Sequence, residues 1–85
     1  MLKLVKVSEG FYKASNIVSD HEAYIDTDML GSFRGTVELK LEDGRFEADE
    51  SNAYDTIEEA ARWIECQRVI MTTNFDGSPM IEEAA

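Results

Sequence analysis

The sequence predicts a small α+β domain, an antiparallel sheet of about four strands in two hairpins with one main amphipathic helix across a face. Three observations carry that expectation. Thr36-Val37-Glu38-Leu39-Lys40-Leu41 alternates apolar and polar residues, Glu42-Asp43-Gly44 turns the chain, and Arg45-Phe46-Glu47-Ala48 returns. A second alternating pair precedes it, Leu2 to Val7 and Phe11 to Ala14, joined at Glu9-Gly10. From Thr56 the apolar period changes from two to about 3.6, which marks the helix.

The second hairpin is predicted from its turn. Asp43-Gly44 between alternating runs is a strong hairpin signal, because both residues tolerate a left-handed backbone. Val37, Leu39 and Leu41 are expected to share the core face with Phe46 and Ala48, or with whichever residues prove their cross-strand partners, and Glu38, Lys40, Glu47 and Asp49 to line the other. The first hairpin resembles the second closely: Val5 to Ala14 aligns with Leu39 to Ala48, and Ser15-Asn16 recurs as Ser51-Asn52. Chance similarity of two hairpins in one sheet is preferred over a degenerate hairpin-and-helix repeat.

Between them, residues 19–33 read as a short helix or irregular crossover. Ser19 with Glu22 offers a capping box, and Gly31 suits a helix C-terminus. Ala23-Tyr24-Ile25-Asp26-Thr27 as a strand is the competing reading, since tyrosine, isoleucine and threonine favour pleated surfaces.

The main helix is expected over residues 57–67, with continuation to 71 as the alternative. Thr56 and Glu59 form its capping box. Ile57, Ala60, Ala61 and Ile64 fall on one stripe, and Trp63, Cys66 and Ile70 on a flanking one. Arg68 breaks the apolar stripe, so Val69 to Thr73 reads as a last strand. Asp76-Gly77-Ser78-Pro79 is a turn. Residues 1–78 read as a single compact domain, and 79–85 as a flexible C-terminal tail.

Composition bounds the function. Among 85 residues, 18 are acidic and eight basic, a formal charge of −10. Such a surface repels nucleic acid and anionic membranes and favours basic partners. A single cysteine, Cys66, leaves no internal disulfide or paired-cysteine zinc site, which fits a cytoplasmic setting. Cys66 is expected as a buried structural thiol, and His21 as a surface residue without a second histidine to complete a site. Asp26-x-Asp28-x-x-Gly31 begins like a calcium loop, but Leu30 and Val37 stand where oxygen ligands are required. No catalytic residue, metal or cofactor is expected, and Trp63, Tyr54 and Phe46 read as core between helix and hairpin.

The acids are not evenly spread. Residues 42–59 hold eight of them against one base, Arg45, a local net of −7. Glu58 and Glu59 complement the helix dipole. Glu42, Asp43, Glu47, Asp49, Glu50 and Asp55 remain for an interaction, with Asp26 and Asp28 as a second patch. Carboxylates on a rigid sheet edge can imitate a row of phosphates and dock into a basic channel. The expectation is therefore a non-enzymatic, acidic protein-binding module. A phage or mobile-element inhibitor of the anti-CRISPR or anti-restriction type, blocking a basic nucleic-acid-binding surface, is one form of it. The alternative is a homodimeric structural or regulatory module that buries a sheet edge or the Trp63–Cys66–Ile70 stripe.

Overall fold

The structure, a computed structural model, describes residues 2–71 and 80–83. Within them the strands are β1 (Lys3–Ser8), β2 (Phe11–Ala14), β3 (His21–Thr27), β4 (Phe33–Lys40), β5 (Phe46–Glu50) and β6 (Met80–Glu83). The helix α1 (Ile57–Cys66) lies between β5 and β6 in the chain. The six strands form one sheet in the order β5-β4-β3-β2-β1-β6. Neighbours are antiparallel except β1 and β6, which run parallel. The α+β class is as the sequence predicts, but the sheet is larger and mixed.

Period-two alternation decides which face is core. Ala23 pairs with Val37, Ile25 with Gly35 and Tyr12, and Leu4 with Ala14. These residues line the face under α1, where Leu2, Leu4, Ala23, Ile25, Ala60, Ala61 and Ile64 are almost wholly buried. Val69 and Ile70 close the core beyond the helix, with Ile17 bridging to Ile70.

α1 begins where the capping box places it. Thr56 has extended backbone, its hydroxyl oxygen accepts the Glu59 N–H at 3.2 Å, and the hydroxyl donates to Glu59 Oε1 at 3.1 Å. It ends at Gln67, whose N–H reaches Ile64 O at 3.0 Å, and the next residue, Arg68, turns out of the helix at φ 60°. The helix lies close on the sheet because β4 carries Gly35 there. A Cβ at that position would stand 3.1 Å from Trp63 Cε3 and 3.2 Å from both Ala60 O and Ile64 Cγ1.

Four sequence expectations need correction. Residues 19–33 hold strand β3, not a helix or crossover. Ala23 and Ile25 are buried and Glu22 and Asp26 exposed, a period of two that the sheet satisfies on both sides. Asp20 turns the chain into β3 at φ 71°, so Ser19 caps nothing helical, and Gly31 at φ 83° belongs to the β3–β4 turn. The first hairpin is thus followed by a strand and the second by a helix, so no hairpin-and-helix repeat is formed.

The second correction is the face of β5. Leu41 N–H donates to Arg45 O at 2.7 Å and Gly44 N–H to Leu41 O at 3.0 Å, with Gly44 at φ 87°. Glu42-Asp43-Gly44 is therefore a three-residue loop flanked by Leu41 and Arg45, whereas core-facing Phe46 and Ala48 would require the two-residue Asp43-Gly44 turn. A shift of one residue turns every side chain over. Leu39 now faces Glu47 and Val37 faces Asp49, while Phe46 and Ala48 pair with Lys40 and Glu38 on the opposite face. Phe46 is 57% exposed and is not part of the core.

Third, Met80–Glu83, expected in a flexible tail, pairs with Lys3 to Lys6 as a parallel edge strand. Fourth, Cys66 is exposed, because it sits at the end of α1 away from the sheet. Of the last strand expected over Val69 to Thr73, the described part forms a bridge at Ile70, and residues 72 and 73 lie outside the described residues, as does the whole turn at 76–79.

Candidate functional site

β5 is one edge of the sheet, and all five of its residues are exposed. At roughly 3.4 Å per residue the strand is about 17 Å long. Its hairpin loop brings Glu42 and Asp43 to one end, and the connection to α1 brings Asp55, Glu58 and Glu59 beyond the other. The acidic run 42–59 is thus drawn out along one side of the molecule.

The individual carboxylates are not equivalent. Asp43 is engaged locally: Oδ1 accepts the Arg45 N–H at 3.1 Å and Oδ2 meets Arg45 Nε at 2.6 Å. Glu50 lies on the face opposite α1, 4.0 Å from Arg34 Nη1. Glu47 and Asp49 lie on the helix side, where they rim a shallow hollow floored by Val37, Leu39 and Val69 and closed by Gln67. Glu42 and Asp55 lie at the surface, in the loop and in the connection.

Asp26 and Asp28 do not join this edge. Asp26 pairs across to Arg34 on one side and Phe11 on the other, so β4 and a cation stand between it and β5. Asp28 is occupied in shaping the backbone. Its Oδ1 accepts the N–H groups of Leu30 and Ser32, both at 2.9 Å, and so fixes the β3–β4 turn. That turn lifts Met29 and Leu30 fully into solvent. With Phe46, they are among the exposed apolar residues that sequence reasoning did not single out. The signal for Met29 and Leu30 was two large apolar residues between Asp28 and Gly31.

The face opposite α1 carries a second polar arrangement. Tyr24 donates to Glu38 Oε1 at 2.8 Å and stacks, tilted, on Phe11 with ring centroids 5.4 Å apart. Desolvation, then the bond to Glu38, pushes the Tyr24 phenol up to about 12. His21 sits at the end of β3 opposite Leu39, with Nδ1 3.4 Å from Ser19 O.

Among the described residues no three metal-ligating side chains converge, and no helix is long and apolar enough to cross a membrane. Comparison with protein-family models finds no match, and searches of curated proteins and of solved structures find none either.

Proposed function

We propose that the chain is a non-enzymatic binding module whose acidic β5 edge docks on a basic protein surface. In the form we favour, that surface binds nucleic acid in its working state, and the carboxylates occupy phosphate positions. The observation that supports this reading is the continuous ridge from Glu42 through Glu47 and Asp49 to Asp55, with every β5 residue exposed. The carboxylates stand on an edge strand that no described strand covers, open to a partner that approaches from the side. Their summed field steers a cationic partner and makes association sensitive to salt.

Reversing three charges tests it. Glu42→Lys, Glu47→Lys and Asp49→Lys together remove the ridge while leaving the buried core untouched, so the circular dichroism stays that of wild type and the melting temperature does not fall; with the net charge lowered in magnitude it should rise. A nucleic-acid-binding complex captured from cell lysate at low salt should be lost by this variant, and DNA should displace the wild-type chain from it. Capture that ignores both the charge reversal and added DNA refutes the reading.

A further inference from the structure

The backbone of β5 tells how such a partner is held. The Leu41–Arg45 and Ser51–Gly35 bonds, 2.7 and 2.8 Å, mark hydrogen-bonded pairs at both ends of the β4–β5 ladder. Antiparallel pairs alternate, so Leu39–Glu47 and Val37–Asp49 are hydrogen-bonded pairs too. The N–H and C=O groups of Phe46, Ala48 and Glu50 therefore point away from β4, along an edge that no described strand covers. Such a row is a template for one more strand.

Resting on the proposed function, we infer that β5 binds its partner by strand addition, and that the added strand alternates basic and apolar residues. On the helix side its side chains meet Glu47 and Asp49, and the aliphatic stems of lysine or arginine lie over half-buried Leu39. On the opposite side its alternate residues meet Phe46 and Ala48, which are apolar, and at the far end Glu50, which Arg34 already faces. A second copy of this chain fits poorly. Two β5 strands paired antiparallel about Ala48 would set Glu47 against Asp49, and pairing with β6 would bring up Glu82 and Glu83. Like charges directly opposite are destabilising. Charge complementarity selects a basic segment of another protein, held as strand-adding domains hold extended peptides.

The probe is an octapeptide alternating lysine and valine, blocked at both ends. Its twin carries N-methyl groups on the valine amides, the ones that an antiparallel added strand would direct at Phe46, Ala48 and Glu50, so it keeps every charge and loses the donors along the edge that faces β5. The unmodified peptide should slow hydrogen exchange at the Ala48 and Glu50 amides at least tenfold, and the N-methylated peptide should bind at least tenfold more weakly. Ala48→Pro removes an outward N–H without touching the β4 ladder, where proline is tolerated. With unchanged urea stability, it should weaken the unmodified peptide at least tenfold. Equal binding of both peptides, or full binding by Ala48→Pro, overturns strand addition and leaves the acidic-surface reading standing. No binding of either peptide also overturns strand addition. Failure of the acidic reading shows separately, as polylysine binding at low salt that the triple charge reversal does not weaken.

Discussion

Gly35 shows how much one missing methyl group decides. The helix carbonyl of Ala60 stands 3.2 Å from where its Cβ would be, and a backbone atom cannot rotate aside. Gly35→Ala should therefore lift α1 off the sheet and cost about 1–3 kcal/mol in urea unfolding, the usual range for overpacking. Tyr24 governs the alkaline limb. Its phenol is raised from 10.0 to about 12 by desolvation and by Glu38. The unfolded chain ionises first, so this stabilisation is fully present below pH 10 and is lost as pH rises towards 12. Tyr24→Phe removes the linkage, and its stability should fall less steeply than wild type between those values. An equally steep fall would show that the phenol does not couple to folding.

At the scale of elements, α1 is a helix whose local signals agree. Thr56→Ala leaves the Glu59 N–H without its acceptor and should cost about 1 kcal/mol, while Thr56→Ser should retain most of it, both read from thermal melts. That agreement is why α1 was legible, down to its stop before Arg68. β3 was not legible, because Ser19, Glu22 and Gly31 imitate helix punctuation and a seven-residue run fits two periods. β6 was hidden for a different reason: Met80-Ile81-Glu82-Glu83 has no alternation, and its parallel partner lies at the other end of the sequence. The acidic string was readable as a string. Its division between faces was not, because that depends on whether Glu42 belongs to strand or loop. Asp28 was readable as an exposed acid before a glycine turn, but the two backbone N–H groups that its Oδ1 accepts were not, since they depend on how that turn closes.

For the molecule as a whole, the charge of −10 acts on folding and on binding with opposite signs. Four ion pairs among the described residues, Lys6–Glu9, Lys13–Glu22, Arg34–Glu50 and Arg45–Asp43, lie open to solvent and offset only part of it. Screening sets in over about 10 Å at 0.1 M salt, less than the length of the β5 ridge. Raising sodium chloride from 0.02 to about 0.5 M should raise the melting temperature of the isolated chain by relieving self-repulsion, and lower its affinity for a basic partner. A melting temperature that falls with salt would mean that the ion pairs outweigh the repulsion.

The loop that ends in Gly44 has a consequence for inheritance. Closed as a two-residue Asp43-Gly44 turn, the hairpin would pair Glu42 with Arg45, and β5 would turn over. Phe46 and Ala48 would then face the helix side, and Glu47 and Asp49 the other. None of those four residues would have changed. A lineage, or an engineer, can thus rewrite what this edge recognises by editing the loop and leaving the strand alone.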